Sequence, residues 1–179
     1  MDVKLQSLIY NCLNNRRSAQ MELYGCYAPK LYPICCRIVG NGQEAEEVLQ
    51  DAFLKVFSSL STYDQSRAFD GWIKTIVART AIDHIRKEPF EWEDLDESHG
   101  VESEEEDDQQ LIENKISRIK QAMCTLPSGY RAVLSLYLFE GYDMEEIADI
   151  LEIKPASVRS QYLRAKQKLL QLLQHENHG

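Results

Sequence analysis

Apolar residues return every three or four positions along most of this chain, the repeat that gathers them on one face of an α-helix. In QEAEEVLQDAFLKVFSSL, residues 43–60, the stripe is Ala45, Val48, Leu49, Ala52, Phe53, Val56, Phe57 and Leu60, with Glu46, Glu47, Gln50, Asp51 and Lys55 on the other side. Asn41-Gly42 before this run and the polar stretch from Ser58 to Ser66 after it supply the breaks. A second helix is predicted from Phe69 to Lys87, with Ile73, Val77, Ala81 and Ile85 on one face and Arg79, Asp83 and Arg86 on the opposite one. The segments Val3 to Leu23 and Lys30 to Val39 read less regularly as helices, with Pro29 placed to start the second.

The repeat then fails. Glu88 to Gln110 offers only Phe90, Trp92, Leu95 and Val101 as apolar residues, too few to repay the entropy of ordering it, and it reads as a linker whose aromatic residues are candidates for docking on a partner. Helical spacing resumes over Leu111 to Leu126, Gly129 to Phe139, Asp143 to Leu151 and Pro155 to Leu173. No stretch alternates with period two. The expected fold is therefore all-α: two small helical domains, 1–88 and 111–179, joined by a linker over 89–110.

Charge sharpens this division. The 179 residues carry a formal net charge of −9, yet the stretch from Glu88 to Gln110 holds twelve Asp or Glu and no Lys or Arg, so the rest of the chain is net +3. A mildly basic body interrupted by one acidic block makes nucleic acid a reasonable partner despite a pI near 5.0. The N-terminus lacks the apolar core of a signal peptide, and no run approaches the roughly 20 apolar residues of a membrane span, so a cytoplasmic protein without membrane insertion is expected. Cys12, Cys26, Cys35, Cys36 and Cys124 show no C-x-x-C spacing and read as reduced, mostly buried thiols; no metal or cofactor is expected.

The densest signal lies in EEIADILEIKPASVRSQYLRAKQKL, residues 145–169. Asp143, followed three residues later by Glu146, predicts a capping box at the start of a short helix. Ile147, Ala148 and Leu151 give that helix its buried face, Ile153 plugs the turn, Pro155 starts the next helix, and Val158 and Tyr162 continue the packing. Ser157, Arg159, Ser160, Gln161 and Arg164 are left facing outward on the half of a recognition helix that meets base edges, where Arg suits guanine and Gln suits adenine. From Lys154 to Lys168 there are five Lys or Arg and no acid. Lys154 opposes the helix dipole, a local penalty that a phosphate at the helix N-terminus removes. The pattern predicts a helix-turn-helix that binds DNA.

Between the two N-terminal helices, Ser58 to Gly71 contains Tyr63, Asp64, Gln65, Arg67 and Phe69, a mixture suited to stacking an unpaired base and bonding its edge. Lys74, Arg79, Arg86 and Lys87 on the following helix are placed to follow phosphates.

Taken together, these residues resemble the sigma-70 family of bacterial RNA polymerase specificity subunits, in its compact extracytoplasmic-function (ECF) class. LPSGYRAVLSLYLFEGYDMEEIADILEIKPASVRSQYLRAKQKL looks like the family's region 4, which reads the −35 promoter element, with Lys154, Ser157, Arg159, Ser160, Gln161, Arg164 and Lys168 as the contacts implied. AEEVLQDAFLKVF and FDGWIKTIVARTAIDHIRK look like its region 2, which binds the polymerase clamp and melts the −10 element. The resemblance implies that Glu47, Gln50, Asp51 and Lys55 contact core polymerase, that Tyr63, Asp64, Gln65, Arg67, Phe69, Lys74, Arg79 and Arg86 handle the −10 bases, and that an anti-sigma factor is a further partner. Glu152 stands where the turn usually has Gly, so the turn must hold a side chain under strain. Gln161 stands where the family often has Arg, and Arg79 where it often has Asn.

A dimeric helix-turn-helix regulator acting without polymerase is the alternative, and it predicts a two-fold-symmetric operator. An enzyme is disfavoured: Asp83-His84 are adjacent and point about 100° apart, with no nucleophile elbow, H-E-x-x-H pair or phosphate loop nearby.

Overall fold

The computed structural model describes residues 3–87 and 109–175, with side chains over 3–87 and 115–174, so the acidic stretch through Asp108, including Phe90 and Trp92, lies outside the described residues. Every regular element among the described residues is helical. The chain divides into two compact units, residues 1–88 and 89–179.

The first unit is built from α1 (Val3–Leu13), α2 (Arg17–Val39), α3 (Gly42–Ser59), a 3₁₀ turn (Leu60–Thr62) and α4 (Phe69–Ile85). Helices α2, α3 and α4 pack pairwise on one another and α1 lies against α2. Their core holds Leu23, Leu31, Ile34 and Ile38 of α2, Val48, Ala52, Phe53 and Val56 of α3, and Ile73, Val77, Ala81 and Ile82 of α4, all nearly or wholly inaccessible. Fully burying each of the larger of these side chains is worth about 1.5–3 kcal/mol.

Two expectations for this unit are corrected. The segment predicted as one helix from Val3 to Leu23 is broken at Asn15, which adopts φ 55°, a left-handed conformation that Asn tolerates better than most residues. Pro29 does not start a helix: it and Pro33 lie inside the continuous α2. Each proline lacks an N–H, which leaves the carbonyls of Gly25 and Pro29 without their usual intrahelical partners, a defect costing about 3 kcal/mol in an isolated helix. The buried face made by Ala28, Leu31, Ile34, Cys35 and Ile38 outweighs it. Gly40, at φ 83°, ends α2 by donating its N–H to the Cys36 carbonyl at 2.9 Å, a conformation only glycine adopts without strain.

The second unit contains α5 (Gln109–Cys124), α6 (Ser128–Leu134) continuing into a π-helical turn (Ser135–Phe139), α7 (Met144–Leu151) and α8 (Pro155–His175). Helix α8 is its spine, touching α5, α6 and α7. Ala122, Met123, Leu126, Tyr130, Leu134, Ala165 and Leu169 form one buried cluster, with Ile119, Tyr162, Leu172 and Leu173 against it.

Candidate nucleic-acid interface

The predicted capping box is present. The Glu146 N–H donates to Asp143 Oδ1 at 2.8 Å and the Asp143 N–H donates to Glu146 Oε2 at 2.9 Å, so two otherwise orphaned donors at the start of α7 are satisfied reciprocally. Ile147, Ala148 and Leu151 are buried against α8, where Val158 is fully inaccessible. Ile153 is only half-buried, a partial plug. Glu152 ends α7 at φ 50°, ψ 42°, the left-handed conformation that its place in the turn demanded. Lys154 precedes α8, and its carbonyl accepts from the N–H groups of Ser157 and Val158.

On α8, Lys154, Ser157, Arg159, Ser160 and Arg164 are exposed. Gln161 departs from its expected outward position: it is half-buried, and its Oε1 is inaccessible without a hydrogen-bond partner. The reason is helical geometry, since Gln161 is three residues after buried Val158 and four before buried Ala165, which puts it at the edge of the inward stripe. Lys168, three residues after Ala165, is likewise half-buried. Arg159 Nη2 lies 3.3 Å from Glu145 Oε1 of α7.

In the first unit, the loop between the 3₁₀ turn and α4 exposes Asp64, Gln65, Ser66 and Arg67. Asp64 makes a tight turn: its Oδ1 accepts the Ser66 N–H at 2.9 Å, and this hydrogen bond from the Ser66 backbone is the main cause holding its carboxyl below the usual range. Arg67 Nε approaches Asp64 Oδ2 at 3.9 Å, a loose and exposed contact.

The two aromatic residues of this loop that the sequence offers for stacking an unpaired base are buried. Tyr63 is 8% and Phe69 3% exposed, and their rings meet at 5.1 Å between centroids, joined by Trp72 at 5.2 and 5.5 Å and by Tyr27 5.4 Å from Phe69. Tyr63 Oη donates to the Arg67 carbonyl, and Tyr27 Oη donates to Asp70 Oδ1 at 2.7 Å. Burial, with that hydrogen bond behind it, raises the Tyr27 phenol well above its ordinary range, so the donor stays protonated. Tyr63 and Phe69 are therefore the anchors of the loop; buried rings already packed on two and three aromatic neighbours respectively are not free to receive a base.

On α4, Arg79 is exposed and Arg86 half-buried, seven residues apart and so on one face. Lys74 is half-buried and stands about 140° around the helix from Arg79 at about 100° per residue, so it does not extend that face. Asp83 does not pair with Arg79; it accepts from Lys55 Nζ of α3 at 3.2 Å. On the outward face of α3, Glu47, Gln50, Asp51 and Lys55 are all exposed.

Both halves of the chain match models of one family, in chain order: sigma-70 region 2 over residues 23–89 and sigma-70 region 4 over residues 116–169. The chain belongs to the sigma-70 family, in its ECF class. It is similar to the ECF RNA polymerase sigma factor SigW of Bacillus subtilis, 27% identical over 180 residues that cover 94% of this chain and 96% of that one. It is 31% identical over 152 residues to the ECF RNA polymerase sigma factor SigE of Mycolicibacterium smegmatis, covering 83% of this chain and 59% of that longer one. The fold is shared with the sigma factor RpoE of Bartonella quintana, solved with the anti-sigma factor NepR: TM-score 0.55 at 17% identity, covering 86% of this chain and 96% of that one.

Three further side chains of this sigma factor belong beside those the sequence pointed to. Leu54 is 68% exposed on α3, one turn from Gln50 and three residues from Asp51. Leu163 is 64% exposed on α8, one turn from Arg159 and beside Arg164. Both are apolar residues off their helix's buried stripe, a signal present in the three-and-four spacing of the sequence. Trp72 is the third: it is only half-buried and lies seven residues before Arg79, on the same face of α4.

Proposed function

We propose that this sigma factor binds bacterial RNA polymerase core and directs promoter-specific initiation, holding the −35 element as duplex through α8 and capturing unpaired −10 bases beside α4. In the −35 contact, Arg159, Ser160 and Arg164 face the major groove, Leu163 offers apolar contact to a thymine methyl, and Lys154 with the open N-terminus of α8 takes a phosphate. In the −10 contact, Asp64, Gln65 and Arg67 meet base edges, the half-buried Trp72 offers its solvent-facing edge to a base, and Arg79 and Arg86 follow the separated strand. The α3 face of Glu47, Gln50, Asp51, Leu54 and Lys55 docks on core polymerase. This assignment gives the chain no bond-making step; nucleotide transfer belongs to the polymerase. It acts in the cytoplasm, where its polymerase and promoter lie, and an anti-sigma factor, such as the one bound to the B. quintana relative, restrains it.

The observation that carries this reading is the ordered pair of region 2 and region 4 matches, one in each compact unit. A dimeric regulator needs only the second. Run-off transcription with core polymerase on a promoter library tests it: the wild type initiates at a defined promoter set, and Arg159→Ala lowers initiation at those promoters by about ten-fold, within the range for one guanine contact. Replacing residues 63–67 removes strand opening, and Leu54→Asp weakens association with core. Initiation indifferent to all three changes, or tight binding to a two-fold-symmetric duplex without core, defeats the assignment.

A further inference from the structure

The first turn of helix α7 carries two glutamates, and the structure uses them differently. Glu146 is committed to the capping box with Asp143. Glu145 has no part in that cap; its Oε1 reaches across to α8 and accepts from Arg159 Nη2 at 3.3 Å. The two residues are 14 positions apart and meet because α7 packs on α8, with Ile147, Ala148 and Leu151 of the one and Val158 of the other all buried. Both side chains remain about two-thirds exposed, at 64% and 65%, so the pair sits on the surface that α8 presents to solvent.

A carboxylate at this place is unfavourable for simple attraction to DNA, because it cancels the charge of Arg159 and repels phosphates. Its value lies elsewhere. A guanidinium has five N–H groups in a planar fork, so a carboxylate on one edge leaves the other free to bond O6 and N7 of a guanine, with the plane already set. Arg159 otherwise rotates freely on a long, exposed stem.

We propose that Glu145 is a positioning residue for Arg159, trading affinity for discrimination at one base pair of the −35 element. This rests on the reading of α8 as the recognition helix. Nothing about Glu145 requires it to touch DNA itself.

The test uses the full chain with core polymerase and a promoter pool randomised across the −35 element, with transcripts sequenced for the wild type, Glu145→Gln, Arg159→Ala and the double variant. Glu145→Gln keeps the side chain's size and leaves the capping box intact. The expected result is that it relaxes base choice at the same single position that Arg159→Ala relaxes, by about two- to five-fold, the reach of an exposed ion pair. The double variant then matches Arg159→Ala alone. Initiation from promoters lacking the preferred base rises. If Glu145→Gln scales every promoter by one common factor with base frequencies unchanged, or if its effect adds to that of Arg159→Ala, the proposal is overturned and the carboxylate acts only as bulk charge. If Arg159→Ala leaves the base frequencies as in the wild type, the recognition-helix reading falls with it, an outcome distinguishable because it needs no Glu145 variant.

Discussion

Cys35 has no exposed surface in α2, and burial pushes its thiol up to about 12 from an ordinary 9.0. Cys12 is also buried and its thiol is raised, again by burial first. Cys26 and Cys124 are exposed, which corrects the expectation of mostly buried thiols. Because the thiolate is the reactive form, a mild alkylating reagent near neutral pH is expected to modify Cys26 and Cys124 quickly and Cys12 and Cys35 only when the chain unfolds, as mass spectrometry of timed samples would show. The sign of the pH effect follows: folding favours the protonated thiol at Cys35, so its contribution to stability is complete below 9.0 and is lost as pH climbs toward 12. Rapid alkylation of Cys35 in the native protein would contradict its burial. Such assignments are barely legible in sequence, because cysteine is apolar enough for a core and small enough for a surface. Gln161 shows the same limit: its identity suits a base reader, but its place between Val158 and Ala165 turns it half inward.

At the scale of the element, α7, its turn and the start of α8 were readable because each rests on local chemistry. A capping box needs only Asp143 and Glu146 three residues apart, and the turn at Glu152 needs only a left-handed residue. Asp143→Ala is expected to cost about 1 kcal/mol in urea unfolding of the second unit, by leaving the first-turn donors of α7 unpaired. Glu152→Gly is expected to act the other way, adding up to about 1 kcal/mol, since relief of the left-handed strain exceeds the entropy glycine adds to the unfolded chain. An unchanged midpoint in both variants would mean that α7 is set by packing alone. Helix α2 was less legible for a complementary reason: its two prolines are local stop signals, overridden by a buried face whose partners, α3 and α4, are distant in sequence. The loop before α4 was half legible. Its polar residues are where their types suggested, but Tyr63 and Phe69 found aromatic partners that spacing alone does not reveal.

At the scale of the whole molecule, charge segregation is the feature that composition averages away. The twelve carboxylates between Glu88 and Gln110 make the chain acidic, whereas the residues that carry the candidate DNA surfaces are net basic. A cationic helix held for long near any duplex gains counterion release at every phosphate it meets, with log K falling by about 0.9 per contact for each decade of salt, whatever the sequence. A covalently attached block of negative charge is expected to compete for the same cations and to disfavour this indiscriminate binding, leaving base contacts to decide where the chain rests. Replacing all twelve carboxylates by their amides is therefore expected to tighten binding to random duplex at low salt. The gain should shrink as the Debye length drops from about 10 Å at 0.1 M to about 3 Å at 1 M salt. Base preference in the promoter pool should not move, because Arg159, Ser160, Leu163 and Arg164 are untouched. Fluorescence anisotropy with labelled random DNA over a salt series reads the first effect and transcript sequencing the second. If the amide variant binds random DNA no more tightly at low salt, the acidic block is a spacer, and restraint of the cationic helices must come from contacts such as Glu145 with Arg159.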